Sequence, residues 1–474
     1  MSLLSNAKWN AFSQLFKIVL QMINVIYLAK IIPPQEYGIM GMAMVIINLG
    51  ILLRDLGTSA ALIQRKILTE ELKNTVFWLN LIMGLGIGCL VLISSGFVAD
   101  VYEQPKLVVV LSILSIIFPL SSCAAAHLAL MERESKFKKI SFIEITSSVT
   151  AVICAIVSAK MGLGVFSLAI QAIVLNLIST LLFWKASSWR PSVKIFIRAE
   201  DVRSIFGFSS NLALFNFINY FSRNADNFII GKFMSAAILG SYNLAYRIML
   251  FPLQSLTFVA SRSLYPVLST YQDDNYKIKN TYYKCIFFIL MITAPLMTGI
   301  AIYSESFILL VFGPQWHLTS DILKWLAPTA IIQSVLSTTG AVFSAKGRTD
   351  ILMRLGVLGA ILQVGAFLIG AKMGIVFFSM CYLIANVLNF FPVMYFLLKI
   401  INGNFLSFFR INFSVFLATM IMMFFAYSVN RWIYPHTSIN NLISLFFISL
   451  LCVIVYSLSL FLLSSQFRGF FKRK

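Results

Sequence analysis

Charge is scarce in this chain. Asp, Glu, Lys and Arg together make 11% of its 474 residues, and 59% are hydrophobic. A water-soluble fold does not need that much apolar surface, so the composition points to a polytopic membrane protein. Only three histidines occur, His127, His317 and His436, far apart in sequence. The six cysteines each sit inside an apolar run without paired spacing. That excludes a disulfide framework or a Cys/His metal site and leaves small core residues. There is no phosphate loop, no nucleotide-binding domain and no Ser-His-Asp grouping, so direct use of ATP is excluded. The net charge is +20, but no compact basic domain exists to hold a duplex, and nucleic acid is set aside. No small-residue cleavage site follows the first apolar run, which is expected to be the first span and not a removed leader.

A membrane span needs about 20 apolar residues at about 1.5 Å rise each. Fourteen runs qualify: 9–31, 38–62, 75–98, 107–130, 141–159, 163–184, 207–231, 238–268, 283–311, 322–345, 351–371, 374–398, 408–429 and 441–464. The predicted fold class is therefore all-α, with about 14 transmembrane helices. Of the 37 Lys and Arg, 25 fall at the two termini and the even-numbered loops, 6 in the odd loops and 6 within spans. By the positive-inside rule both termini are expected in the cytoplasm.

Two stretches 202 residues apart carry one pattern. Leu28-Ala-Lys30, Gly38 and Ala43 are answered by Ile230-Gly-Lys232, Gly240 and Ala245. In the helix before each Lys, polar residues match as well: Gln14 with Asn216, Lys17 with Asn219, Gln21 with Arg223, Asn24 with Asp226. The spacing of 3, 4, 3 places each set on one helix face. Polar groups in hydrocarbon are expensive, so a stripe repeated in two halves argues for a wet cavity between related lobes, the build of a transporter. Six spans separate the repeats, which makes them parallel, with a pseudo-two-fold along the membrane normal. The expected organisation is an N-lobe over 1–184, a cytoplasmic linker over 185–206, a C-lobe over 207–400, and two appended spans with a basic tail over 401–474. Within the linker, Val193-Lys-Ile-Phe-Ile-Arg198 reads as a membrane-surface segment or simply as a basic linker.

The charges inside spans are the informative ones: Lys17, Arg54, Asp55, Arg223, Asp226, Arg247 and Arg262. Bland readings stand beside functional ones. Arg223 and Asp226 could form an internal ion pair, and Arg54 and Asp55 could neutralise each other. Lys17 could snorkel to the cytoplasmic face, and Arg262 could be interfacial. Glu144, beside Lys138 and Lys139, reads as structural, and His127 as a packed helix residue. Counted by sign, the cavity has surplus positive charge and wants an anion. Arg suits phosphate through its planar fork of donors, so a lipid headgroup such as a diphosphate fits better than a cationic drug.

Several segments are familiar: Ala7-Lys-Trp9, Leu62-Ile-Gln-Arg-Lys66, Met131-Glu-Arg-Glu-Ser-Lys-Phe137, Tyr242-Asn-Leu-Ala-Tyr246, Tyr271-Gln-Asp-Asp274 and Val311-Phe-Gly-Pro-Gln-Trp316. In this order they resemble the multidrug/oligosaccharidyl-lipid/polysaccharide flippase superfamily, and within it the Wzx-type exporters of O-antigen and exopolysaccharide, nearest the colanic acid exporter branch. The resemblance implies a bacterial inner-membrane flippase of two lobes. Its implied substrate is an undecaprenyl-diphosphate-linked oligosaccharide, carried from the cytoplasmic to the periplasmic leaflet, with membrane lipids around it and a polysaccharide polymerase and chain-length proteins as partners. The lipid II flippases are more distant relatives. Their span 8 carries an Arg followed by Phe-Pro, similar to Arg247-Ile-Met-Leu-Phe251-Pro252, and they have an Arg at the place of Arg54. Asp55 departs from that pattern, which has a second Arg.

The resulting expectation is alternating access, with Lys17, Gln21, Asn24, Arg54, Arg223, Arg247 and Arg262 lining the substrate cavity. Asp55 or Asp226 would bind a coupling H⁺ or Na⁺, or the membrane potential would act on the anion. No other cofactor and no metal is expected. The polyprenyl tail would stay in lipid along spans 13 and 14. Competing readings are a cation-coupled multidrug antiporter of the same superfamily, a membrane polysaccharide polymerase or ligase, and a non-transporting scaffold. The antiporter would want an acidic cavity, and the enzyme larger outer loops. The scaffold would not need the polar stripes.

Overall fold

The structure, a computed structural model, describes residues 3–55, 68–192, 223–253, 268–432 and 442–471, with a few isolated positions between them. All regular structure among the described residues is helical. The chain divides into two compact units, Met1–Gly240 and Ser241–Lys474.

The first unit contains α1 (Leu3–Ile31), α2 (Pro34–Asp55), α3 (Glu70–Tyr102), α4 (Lys106–Leu114), α5 (Ile117–Arg133), α6 (Phe137–Lys160) and α7 (Val165–Ala186). Residues 223–233 are helical too, and α8 (Ala236–Pro252) begins here and runs into the second unit. The second unit continues with α9 (Asn275–Ile302), α10 (Ser304–Val311), α11 (His317–Ala345), α12 (Thr349–Ala371), α13 (Ile375–Ile400), α14 (Phe405–Trp432), α15 (Leu442–Leu463) and α16 (Ser465–Phe471).

Helix boundaries follow local chemistry. Thr69 caps α3, its hydroxyl accepting from Leu72 N at 3.2 Å, and Glu70 and Glu71 sit in the first turn, where the helix dipole favours negative charge. Asp274 caps α9 in the same way through Lys277 N at 3.0 Å. The predicted fourth span is two helices, because Pro119 lacks an N–H for the carbonyl one turn back. The chain turns at Ser115 and Ile116, and Pro119 falls in the first turn of α5, where it is tolerated. The predicted ninth span also divides, at Tyr303, whose phenol donates to Ala426 O in α14 at 3.0 Å.

Twelve segments among the described residues are long and apolar enough to cross a membrane. They correspond to predicted spans 1–6 and 9–14. Predicted spans 207–231 and 238–268 lie partly outside the described residues. Many apolar side chains point outward, Ile93 83% exposed and Leu462 72% exposed. In water that would be unfavourable; facing lipid tails it is not.

In the first unit α1 packs on α6, α6 on α7, and α3 on α5. Phe77, His127, Trp184 and Trp189 form an aromatic cluster, with His127 fully buried 4.7 Å from Trp184 and 5.4 Å from Trp189 between ring centroids. The indoles are anchored: Trp184 to Cys123 O at 2.9 Å, Trp189 to Glu70 Oε2 at 2.9 Å and neighbouring Trp78 to Ser192 O at 3.1 Å. His127 is thus a packed residue. In the second unit α12 lies on α13, and α9 on both α11 and α14. Phe367 stacks on Phe378 at 4.8 Å. An uncharged polar cluster lies inside this unit, Gln333 donating to Tyr382 Oη at 2.6 Å and to Asn386 Oδ1 at 3.3 Å.

Candidate functional site

The polar stripe of α1 faces α6 and α7. Lys17 Nζ donates to Glu144 Oε2 at 2.7 Å, and the same oxygen accepts from Ser13 Oγ at 3.4 Å. Two turns further along, Asn24 Nδ2 donates to Gln171 Oε1 at 3.2 Å. Asn24 is buried, whereas Gln21 is exposed. The charged pair is itself reachable, its side chains 25% and 35% exposed. Lys17 therefore does not snorkel free of the protein; it is held inside the first unit by a carboxylate 127 residues away.

Arg54, in the last turn of α2, is buried and donates to Ser121 Oγ, which in turn donates to Ile117 O at 2.6 Å. The guanidinium is thereby placed against the first turns of α5. Just beyond it, Thr58 Oγ1 donates to Asn80 Oδ1 at 2.7 Å. Asp55 ends α2, and its side chain lies outside the described residues. In the 223–233 helix, Arg223 is exposed and Asp226 is buried, accepting from Asn227 N at 2.7 Å and Asn227 Nδ2 at 3.2 Å. No ion pair joins Arg223 to Asp226 among the described residues. Arg247, exposed on α8, belongs to the second unit. Arg262 lies outside the described residues.

The opposite end of the first unit is tied by a second set of charges. Glu36, in the first turn of α2, accepts from Lys106 Nζ at 2.7 Å and from Val165 N at 3.0 Å, joining α2 to α4 and to the N-terminus of α7. Lys232 reaches Glu103 at 3.4 Å. Between these pairs the two repeats touch. A Cβ at Gly38 would collide with the Ala236 carbonyl, and one at Gly240 would collide with the Pro34 carbonyl and stand 3.0 Å from Gly38 N. Gly231 lies less tightly against the ring of Tyr102, 2.8 Å from where its Cβ would be.

Glu144, Gln171, Ser121 and Glu36 were not among the expected site residues. Gln171 had a usable signal, an amide inside an apolar run; Ser121 had none, since serine is ordinary in membrane helices.

The second unit holds an apolar cavity of about 570 Å³ between α9, α10, α14 and α15, lined by Pro295, Gly299, Phe307, Met422, Ser449 and Tyr456 among others. Tyr456 Oη donates to Met291 O at 2.9 Å at its wall.

Comparison with known proteins places this architecture. A family model described as "Polysaccharide biosynthesis protein" matches residues 27–321. The lipopolysaccharide biosynthesis protein WzxC of Escherichia coli (strain K12) is 28% identical over 389 residues, 81% of this chain and 79% of that protein. The teichuronic acid biosynthesis protein TuaB of Bacillus subtilis (strain 168) is 27% identical over 439 residues, 90% of this chain and 89% of its own length. Among solved structures, the lipid II flippase MurJ in an inward closed conformation superposes with a TM-score of 0.73 at 16% identity, covering 99% of this chain and all of that one. That likeness gives the fold.

Proposed function

The chain belongs to the polysaccharide biosynthesis protein family, and from that premise we propose that it is a flippase of lipid-linked oligosaccharides. It takes an undecaprenyl-diphosphate-linked repeat unit from the cytoplasmic leaflet of the bacterial inner membrane to the periplasmic leaflet, for assembly into a surface polysaccharide. Both termini lie in the cytoplasm. The observation that carries the reading is the family match over residues 27–321; the names of the related WzxC and TuaB agree with it.

The side chains suit that cargo. Lys17 and Arg54 put two cations into membrane-spanning helices of the first unit, and Arg247 adds a third in the second. A diphosphate crossing hydrocarbon needs donors of that kind, and Arg supplies them two at a time. Gln21 and Asn24 on α1, together with Arg223 and Arg262, are assigned to the sugar in this reading. The polyprenyl tail remains apolar throughout, and the cavity between α9, α14 and α15 offers it a surface. Transport proceeds by alternating access of two lobes, 1–184 and 207–400, with spans 13 and 14 appended. Asp55 or Asp226 takes a coupling H⁺ or Na⁺, or the membrane potential moves the anion at about 2.3 kcal/mol per charge per 100 mV. A polymerase and chain-length proteins receive the product.

The test is a leaflet assay in cells lacking the protein. Accumulation of the diphosphate-linked oligosaccharide on the cytoplasmic side, relieved by wild type and not by Arg247→Ala, is the expected result. Normal periplasmic delivery with new drug sensitivity would replace the reading by a multidrug antiporter.

A further inference from the structure

Among the described residues, Glu144 is the acid bonded to the polar face of α1, and its position has a consequence for how an anion is held and let go. Its Oε2 receives Lys17 Nζ at 2.7 Å and Ser13 Oγ at 3.4 Å. Glu144 stands on α6, two turns in from its start, and Lys17 and Ser13 stand one turn apart on α1. The pair is neither sealed nor free: 25% of Lys17 and 35% of Glu144 is exposed, so an incoming headgroup can reach the ammonium without unfolding anything. A pair locked in hydrocarbon would be a static brace. A fully solvated pair would be worth almost nothing. This one lies between, where one anion can exchange for another.

We propose that Glu144 is a positioning residue that occupies Lys17 when no substrate is bound and gives it up to the diphosphate of the lipid-linked substrate, returning to expel it. This rests on the flippase reading above. The Glu144 carboxylate and a phosphate oxygen compete for the same ammonium. While Glu144 holds it, α1 and α6 are joined and the charges cancel. When the diphosphate takes it, Glu144 is left beside a second anion, and their repulsion opposes long residence. A carrier must release what it binds, and a lone Lys17 would bind a polyanion without any built-in opposition. Asn24 with Gln171 continues the α1 contact without charge, so α1 keeps a tie to α7 while the ion pair is open.

The experiment measures binding of undecaprenyl diphosphate to the purified full-length protein in detergent micelles, with undecaprenol as the probe that lacks phosphate. A partly exposed ion pair that must break on binding weakens affinity by about fivefold. Glu144→Gln is therefore expected to bind undecaprenyl diphosphate about fivefold tighter than wild type, with undecaprenol unchanged and lipid export in cells slowed. Lys17→Gln is expected to bind more weakly, and Lys17→Gln/Glu144→Gln no differently from Lys17→Gln alone, since the carboxylate acts only through the ammonium. If Glu144→Gln is not recovered folded, Glu144→Asp, which draws the charge back by one methylene, replaces it with the same expected direction. Affinity equal to or weaker than wild type in the Glu144 variant, or an equal change for undecaprenol, overturns the exchange and leaves a static brace. No binding of undecaprenyl diphosphate by wild type overturns the flippase reading itself, and the exchange with it.

Discussion

Gly38 and Gly240 face one another where α2 meets the start of α8, so close that neither position has room for a Cβ. They are also equivalent positions of the sequence repeat. The contact is backbone against backbone, and a carbonyl cannot swing aside as a side chain can. Alanine at either position is expected to force the helices apart, at about 1–3 kcal/mol, seen as a lower thermal midpoint and reduced export. Gly299 and Gly340 are the controls, since among the described residues nothing lies within 4 Å of an added Cβ at either. Alanine there is expected to be neutral or stabilising by up to about 1 kcal/mol. Equal losses at all four would show that close approach is not the cause.

Glu36 holds Lys106 and also the Val165 N–H at the N-terminus of α7. Lys106 is 61% exposed and contributes little. The N–H is the valuable partner, since the first turn of a helix has no internal acceptor. Glu36→Ala is expected to cost about 1–2 kcal/mol, and Lys106→Ala much less. Thermal unfolding of the two variants side by side checks the order.

Arg54 is buried against Ser121. Arg54→Ala is expected to lower export at least about tenfold, equivalent to about 1.4 kcal/mol, with the protein still inserted. Arg54→Lys is expected to recover only part, because one ammonium cannot present a two-pronged fork. Full activity of Arg54→Ala in the leaflet assay would remove it from the substrate path.

The cavity between α9 and α15 can be filled without touching any charge. Ser449→Trp adds bulk at its wall and is expected to weaken binding of undecaprenyl diphosphate severalfold while leaving the folded protein intact. A farnesyl diphosphate probe, too short to use the cavity, is expected to be unaffected. Loss of both lipids alike would place the tail elsewhere.

Asp274 caps α9 outside the membrane-spanning segments, and the Lys277 N–H it accepts holds its carboxyl below the ordinary range, helped by the Lys277 charge. A depressed carboxyl stabilises the folded state above its unfolded value, near about 4, and that contribution is lost as pH falls through the folded value. Asp274→Asn, a neutral acceptor, is expected to flatten the small acid-side dependence of thermal stability. An unchanged profile would show that the cap does not report on this helix.

How much of this was legible in the sequence depends on distance along the chain. Lys17 announced itself as a charge inside an apolar run, but its partner did not. Glu144, beside Lys138 and Lys139, reads as structural from the sequence, but without a partner. Only folding, which lays α6 on α1, shows that the partner is Lys17. The repeat of Gly38 and Gly240 was plain as a pattern, and no pattern states that two matching positions touch. The apolar runs located twelve spans, because hydrocarbon thickness acts on each run separately. Hydropathy missed the turn before Pro119, since a missing N–H leaves mean hydropathy unchanged. The Arg223–Asp226 pair, reasonable from a spacing of one turn, is absent among the described residues, where Arg223 is exposed and Asp226 is buried and accepts from Asn227.

Three of the seven tryptophans, Trp78, Trp184 and Trp189, gather with Phe77 at one corner of the first unit, each indole N–H already engaged. Three of the seven emitters therefore share a single corner. Part of the light collected from the whole molecule reports on whether α3, α5 and α7 keep their grip there. A change in its colour on adding lipid would be a dye-free optical readout of movement at that end of the first unit.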